Sequence, residues 1–535
     1  MKLGLLQLNP LVGDFQANLA AIEAAARKAV AQGAELCIAP ELALSGYPPH
    51  DLMLQQDFVA RNQQAAEHLI ALSAELRCGL LFGLVTANKK AFGKPLHNAA
   101  LLCDSGRVLA IKRKSLLPTY DVFDERRYFE PDPAVCVADF RGTKVGLLIC
   151  EDIWTDESLL GRVDYDTDPA DDCVKAGATL LLTLSASPWG SGKHRLREQL
   201  VSRAASRTGT FAVLVNQCGG NDDLIFDGAS VACDHRGRSV ARLSLFEPAV
   251  MVIDTTASTP APGWSTDDLG HEINALVLGL GDYFRKTGHS RALLGLSGGI
   301  DSALVACLAA RALGPANVTG ISMPTRFSSA GSVDDSRALA ARLCIGFEVI
   351  DIDPAFELQR KLARFPGGVA EENAQARLRG LVLMTRSNAS GALVLATGNR
   401  SELAVGYSTL YGDMCGALEV IGDVPKTRVF EMARRFAEIP QAIHDKPPSA
   451  ELRPNQTDQD SLPPYELLDR ILSAYLDQRL DTTGMAQQGL DPALCAKITR
   501  MVELAEYKRK QAPIVLRISG HAFGAGRRMP AAKKV

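Results

Sequence analysis

The sequence predicts an α/β protein of two domains, the second of them a doubly wound parallel sheet. Three observations carry this expectation. A chain of 535 residues exceeds what one hydrophobic core organises. Short apolar runs alternate with amphipathic helical stretches in both halves. A stretch rich in Thr, Ser and Pro parts the halves. Strand-like runs fall at residues 3–8, 36–39, 79–85, 99–103, 145–149, 179–184, 211–215 and 250–253. Residues 18–32, 58–76 and 195–208 carry an apolar helical face, so this half reads as one α/β unit with helices packed on a sheet. After Asp254, Thr255 to Gly263 includes Pro260 and Pro262 and reads as an exposed connector. The expected domains are 1–258 and 271–535, joined by a linker over 259–270. An amphipathic helix opens at His271, and strands at 318–322, 347–351 and 392–396 alternate with helices.

Composition narrows the partners. The formal net charge of −3 gives no general attraction to nucleic acid or to an anionic membrane, and the basic tail of Arg527, Arg528, Lys533 and Lys534 is short. No stretch reaches membrane-spanning length, and the first residues lack a long apolar run with a small-residue cleavage site, so a cytoplasmic protein is expected. The twelve cysteines are scattered; the closest two in sequence are Cys136 and Cys150, so no Cys-x-x-Cys suggests a zinc or redox site.

The most telling segment is Leu293-Leu294-Gly295-Leu296-Ser297-Gly298-Gly299-Ile300-Asp301-Ser302, an apolar strand running into a turn poor in side chains and then into an apolar helix. Such a turn lets backbone N–H groups close on phosphate oxygens, and the helix adds its positive N-terminal end. The order strand, Ser-Gly-Gly-Ile-Asp-Ser, helix resembles the signature of the PP-loop ATP pyrophosphatases, which cleave ATP to AMP and pyrophosphate. The Walker pattern Gly-x-x-x-x-Gly-Lys-Ser/Thr is absent at this loop.

Four further segments resemble the NAD⁺ synthetase branch of that family. They are Met323-Pro324-Thr325-Arg326-Phe327-Ser328-Ser329; Glu372-Asn373-Ala374-Gln375-Ala376-Arg377-Leu378-Arg379; Ala396-Thr397-Gly398-Asn399-Arg400-Ser401-Glu402, continued by Tyr411-Gly412-Asp413-Met414; and Glu506-Tyr507-Lys508-Arg509-Lys510-Gln511-Ala512-Pro513. The resemblance implies amidation of the nicotinate carboxylate of deamido-NAD⁺ after its activation as an adenylate. It assigns ATP to Gly295, Leu296, Ser297, Gly298, Gly299, Ile300, Asp301, Ser302 and Thr397, and Mg²⁺ to Asp301 and Glu402. It assigns deamido-NAD⁺ to Asn373, Glu402 and Lys508, with Lys510 a close alternative to the last. Gly412-Asp413-Met414-Cys415-Gly416-Ala417 departs from the family, whose members usually carry a second Gly and an aromatic there.

The first half contains, in order, Ala39-Pro40-Glu41-Leu42, Lys112-Arg113-Lys114-Ser115-Leu116-Leu117-Pro118-Thr119-Tyr120 and Leu148-Ile149-Cys150-Glu151-Asp152-Ile153-Trp154. In order, they resemble the carbon–nitrogen hydrolase (nitrilase) family and its Glu-Lys-Cys triad. Amide hydrolysis needs these types: a thiolate that attacks, a carboxylate that moves the proton, and a cation for the oxyanion. The resemblance implies an α-β-β-α sandwich with Cys150 as nucleophile, Glu41 as base and Lys114 as cation, the spacing to Leu117-Pro118 favouring Lys114 over Lys112 and Arg113. Glu125 matches a glutamate that orients the lysine. Tyr120, Ser187 and Lys193 match positions that hold glutamine, Arg195 being an alternative to Lys193.

Together the halves resemble glutamine-dependent NAD⁺ synthetases, in which ammonia freed from glutamine is used on adenylated deamido-NAD⁺. A homo-oligomer is expected on the same ground. Other PP-loop amidotransferases fit worse, since position 2 is Lys2 rather than a nucleophilic cysteine and no Gly-x-Cys-x-Gly elbow occurs.

Overall fold

The computed structural model describes residues 1–364, 367–454 and 456–534. The chain divides into two units, Met1–Asp268 and Leu269–Val535.

The first unit contains β1 (Lys2–Gln7), β2 (Leu36–Ile38), β3 (Gly79–Ala87), β4 (Leu96–Asp104), β5 (Arg107–Arg113), β6 (Val137–Phe140), β7 (Thr143–Ile149), β8 (Leu180–Ser185) and β9 (Phe211–Asn216). It is completed by β10 (Cys218–Asn221), β11 (Leu224–Asp227), β12 (Val231–Cys233), β13 (Ser239–Arg242) and β14 (Ala249–Asp254). Two six-stranded sheets form, in the orders β14-β1-β2-β3-β4-β5 and β13-β12-β9-β8-β7-β6, while β10 and β11 make a separate ribbon. Their facing sides bury one core, with Leu3, Leu5, Ile38 and Leu81 meeting Leu147, Leu182 and Val213. Side chains alternate along a strand, so the remaining residues face outward and need cover. Helices Phe15–Ala31 and Gln56–Leu76 cover the first sheet through Ile22, Ala29 and Leu69. Pro169–Lys175 and Lys193–Thr208 cover the second through Cys173, Leu200 and Val201. Gly4 permits the close approach of the first helix, because a Cβ there would lie 2.8 Å from that of Ala29. The result is an α-β-β-α sandwich.

The connector is pinned rather than loose. Ala261 N donates to Ser239 O at 2.9 Å, and the Trp264 indole donates to Leu243 O at 2.7 Å.

The second unit is built on β15 (Ala292–Gly295), β16 (Val318–Ser322), β17 (Gly346–Val349), β18 (Leu393–Ala396), β19 (Leu418–Glu419) and β20 (Ile514–Val515). All pairings are parallel, in the order β17-β16-β15-β18-β19-β20. The chain leaves β15 in one direction and returns to its other side at β18. Right-handed crossovers in opposite directions place helices on opposite faces. Val369–Ser390 accordingly covers the face bearing Leu293, Ile321 and Val394 through Leu383. The strand order reverses between β15 and β18, where an open sheet forms its crevice.

Candidate active sites

In the first unit three loops converge. Glu41 lies just past β2, Lys114 follows β5 directly, and Cys150 is the first residue after β7. Parallel β2–β3 and β7–β8 pairings send Glu41 and Cys150 out at the carboxyl ends of their strands. All three side chains are buried. Lys114 Nζ donates to Glu41 Oε1 at 2.7 Å and to Glu125 Oε1 at 2.8 Å, so one ammonium is held between two carboxylates. Glu41 is fixed further by the Asn98 amide at 2.7 Å and Ala186 N at 2.9 Å, and Glu125 by the Tyr47 hydroxyl at 2.9 Å. Burial pulls the Lys114 ammonium down, but Glu125 and Glu41 outweigh it and raise its pKa well above the ordinary value. Burial pushes Glu125 up to about 7, with Lys114 opposing. Burial and then the charge of Glu41 push the Cys150 thiol up, against the pull of Lys114. Burial thus favours the neutral thiol, whose sulfur accepts the Ser185 hydroxyl at 3.5 Å. Cys150 has φ 41, a left-handed conformation a side-chain-bearing residue adopts only under local constraint.

That constraint comes from Asp152, which the sequence did not single out. Its fully buried carboxylate accepts Ile149 N at 3.0 Å, Ser115 N at 3.1 Å and Leu116 N at 3.0 Å. It ties the Cys150 turn to the Lys114 loop. The neighbouring cations point elsewhere: Lys112 donates to Ser115 Oγ and Ala134 O, and Arg113 to Asp132.

The positions expected to hold glutamine have partners of their own. The Tyr120 hydroxyl donates to Glu151 Oε1 at 2.9 Å, and Tyr165 reaches the same oxygen at 3.2 Å. Burial pushes Glu151 up, while Lys114, the tyrosines and Lys193 hold it back. Lys193 Nζ lies 5.4 Å from the Trp154 ring centre and 5.8 Å from that of Phe123. Arg195 instead pairs with Asp268 at 2.8 Å. Ser187 is set by Asn216, whose Oδ1 accepts its N–H at 2.9 Å, and by Arg197 Nη1 at 3.5 Å from its hydroxyl. Arg197 is itself clamped by Asp227 at 2.5 Å, both fully buried. Glu151 adjoins Cys150 in sequence, so its position alone signalled it; Asn216, Arg197 and Asp227 gave no local signal.

In the second unit the loop after β15 folds on its own hydroxyls. Ser302 Oγ lies 3.1 Å from Ser297 Oγ and donates to Gly299 O at 3.1 Å, while Gly299 N donates to Ser297 Oγ at 3.2 Å. Gly298 has φ +74, and a Cβ there would lie 2.6 Å from Ser332 O, so the position requires glycine. The helix Ile300–Leu313 begins on Gly299 and presents Asp301 in its first turn. Across the switch point, Thr397 and Gly398 follow β18, and the helix Arg400–Val405 is capped reciprocally by Asn399 and Glu402. Asn399 Nδ2 donates to Asp301 Oδ1 at 2.9 Å. Lys426, absent from the sequence expectations, donates to Asp301 Oδ2 and, at 3.3 Å, to Glu402 Oε1. Burial pushes Glu402 up to about 8, aided by Asp301 and opposed by Lys426. Both proposed metal carboxylates thus converge on one buried cation.

Two of the positions expected to hold deamido-NAD⁺, Asn373 and Lys508, bond to the loop after the Arg400–Val405 helix, in which the third, Glu402, lies. Asn373 Oδ1 accepts the Thr409 hydroxyl at 2.7 Å, and Thr409 N donates to Asp413 at 2.7 Å. Lys508 Nζ donates to Gly406 O and Ser408 O, each at 2.7 Å, whereas Lys510 is exposed. Among the described residues no group of three or more His, Cys, Asp or Glu forms a ready metal cage, and no helix is long and apolar enough to cross a membrane.

Comparison with known proteins places both units. Residues 2–259 match the carbon-nitrogen hydrolase family and residues 272–512 the NAD synthase family. A glutamine-dependent NAD(+) synthetase from Synechocystis sp. is 44% identical, with 99% of this chain and 98% of that protein covered. The enzyme of the same name from Thermotoga maritima is 38% identical over the same shares. The solved structure of the glutamine-dependent NAD⁺ synthetase from Acinetobacter baumannii, in complex with adenosine diphosphate, is 35% identical, with a TM-score of 0.77 over 99% of this chain and 98% of that one. A further structure, of the Cytophaga hutchinsonii enzyme, shares the fold with a TM-score of 0.83 over 100% of this chain and 98% of that one, at 22% identity. With relatives this similar along its whole length, the chain belongs to the family of glutamine-dependent NAD⁺ synthetases.

Proposed function

We propose that this chain amidates deamido-NAD⁺ to NAD⁺ at the expense of ATP, with ammonia released from glutamine by its first unit. The observation that supports this reading most is that both reaction centres are complete on one chain: Lys114 held between Glu41 and Glu125 beside Cys150, and Asp301 and Glu402 meeting at Lys426. The assigned domains are 1–258 and 271–535, with the connector between them.

In the first unit, Cys150 attacks the glutamine carboxamide carbon as Glu41 takes the thiol proton. Lys114 stabilises the tetrahedral oxyanion. Ammonia leaves with the proton that Glu41 returns, and water deprotonated by Glu41 hydrolyses the thioester to glutamate. Glu151, with Tyr120, receives the substrate's α-ammonium group, while Ser187 and Lys193 hold its α-carboxylate. Glu125 keeps Lys114 in place.

In the second unit, the nicotinate carboxylate attacks the α-phosphorus of ATP and pyrophosphate departs. Ammonia then attacks the adenylate carbonyl and AMP leaves. Gly295, Leu296, Ser297, Gly298, Gly299, Ile300, Asp301, Ser302 and Thr397 hold ATP, and Asn373, Glu402 and Lys508 hold deamido-NAD⁺. Asp301 and Glu402 fit Mg²⁺, which binds through one or two carboxylates and completes its shell with water and phosphate oxygens. When bound, it would neutralise charge on the departing pyrophosphate. We further propose that the protein is a cytoplasmic homo-oligomer.

The test supplies ATP, deamido-NAD⁺ and glutamine labelled with ¹⁵N at the amide, in unlabelled ammonium at low concentration. The expected product is NAD⁺ labelled in its carboxamide, with one AMP and one glutamate per NAD⁺. AMP formation without NAD⁺, or glutamate release with no label in NAD⁺, would defeat the proposal.

A further inference from the structure

The helix Val369–Ser390 packs on the second unit's sheet through Leu383. Gln375 bridges Thr325, whose hydroxyl it accepts at 3.0 Å, and Leu452 O, to which it donates at 2.9 Å. Two turns later, Leu383 comes within 3.7 Å of where a Cβ would stand on Gly295, the residue that opens the phosphate loop, and Met323 within 3.6 Å of the same point. Arg379 lies midway between Gln375 and Leu383, so it shares their face of the helix. Its Nε donates to Met323 O at 3.1 Å, which sets the guanidinium at the carboxyl end of β16, the strand paired with β15.

Among the described residues, no carboxylate forms an ion pair with this guanidinium. Glu451 and Asp413 act on it only from further away, and burial pulls its pKa down to about 10 against them. Other arginines of this unit are neutralised at contact: Arg326 by Asp353 at 2.9 Å, Arg400 by Asp477 at 2.5 Å and Arg509 by Glu506 at 2.8 Å. A partly buried guanidinium with its terminal nitrogens unpaired is matched by a planar or tetrahedral oxyanion, which accepts two of its N–H groups at once.

We infer that Arg379 is a specificity-determining residue of the synthetase site, whose two terminal nitrogens receive a phosphoryl oxyanion of a substrate. This rests on the function proposed above. Two sources supply that chemistry: the phosphates of ATP, and the pyrophosphate bridge of deamido-NAD⁺.

The experiment measures ammonium-driven NAD⁺ synthesis by the full-length wild type, Arg379→Met and Arg379→Lys, with KM for ATP and for deamido-NAD⁺ determined separately. Wild-type synthesis from ammonium checks the reading of the site itself. Arg379→Met keeps the aliphatic stem but loses the fork, and is expected to raise KM tenfold or more for one substrate while moving the other less than threefold. Arg379→Lys restores the charge without the bidentate geometry and should recover only part of that loss. A rise confined to ATP places the oxyanion on the nucleotide triphosphate; a rise confined to deamido-NAD⁺ places it on the dinucleotide. KM values within twofold of wild type for both substrates would overturn the inference. So would a loss of kcat alone that follows a lowered unfolding temperature, which would make Arg379 a structural residue.

Discussion

Asp301→Ala is expected to abolish NAD⁺ formation from glutamine and from ammonium alike. Asp301 holds Lys426 and accepts Asn399 Nδ2, so its removal opens the contact between the phosphate loop and the Thr397 loop. It also removes one of the two oxygen donors proposed for Mg²⁺. Charge stabilisation of this kind contributes several kcal/mol to a phosphoryl-transfer barrier, so a loss on the order of a thousandfold or more is expected. Glutamine hydrolysis should survive, because Cys150 belongs to the other unit. The check is NAD⁺ and glutamate measured in parallel; near-normal synthesis from ammonium would contradict the assignment.

Lys114→Met is expected to collapse glutamine turnover. The substitution keeps the stem and removes the cation proposed for the oxyanion, and loss of one such group costs on the order of a hundredfold or more in rate. It also leaves the buried Glu41 and Glu125 carboxylates facing each other without their shared ammonium. Breaking a buried pair from one side typically costs about 3–5 kcal/mol, so the first unit should unfold at a lower temperature. NAD⁺ synthesis from ammonium should persist at temperatures where the variant is folded. Lys112→Met is the comparison: Lys112 ties Ser115 to Ala134 and does not touch Glu41, so its effect on turnover should be much smaller.

What the sequence made legible was local. The loop from Gly295 to Ser302 announced itself because its signal is contiguous in the chain, and the structure shows a strand, a hydroxyl-stitched turn and a helix there. Lys114, Cys150 and Glu41 were legible through short motifs at strand ends. What stayed hidden depends on partners distant in the chain. Lys426 meets Asp301 across 125 positions, and Glu41 accepts Ala186 N across 145. Asp152 could not be told from any other acidic residue after a strand until the Ser115 and Leu116 amides were seen to close on it. Several strands also escaped. β5 alternates poorly and is largely exposed, and β10 is Cys-Gly-Gly-Asn, so neither presents an apolar run. The connector was expected to be exposed, and its pinning by Trp264 depends on a carbonyl of Leu243 that composition does not reveal.

If two separate centres divide the work, Cys150→Ala separates them. The variant lacks the only group proposed to attack glutamine and leaves Asp301, Glu402 and Lys426 untouched. Measured with ATP and deamido-NAD⁺, it should make no NAD⁺ from glutamine, yet make it at near wild-type rate from ammonium at raised pH, where the unprotonated nucleophile is plentiful. Glutamine-driven synthesis by the folded variant, or loss of ammonium-driven synthesis while ATP and deamido-NAD⁺ still bind, would contradict the account.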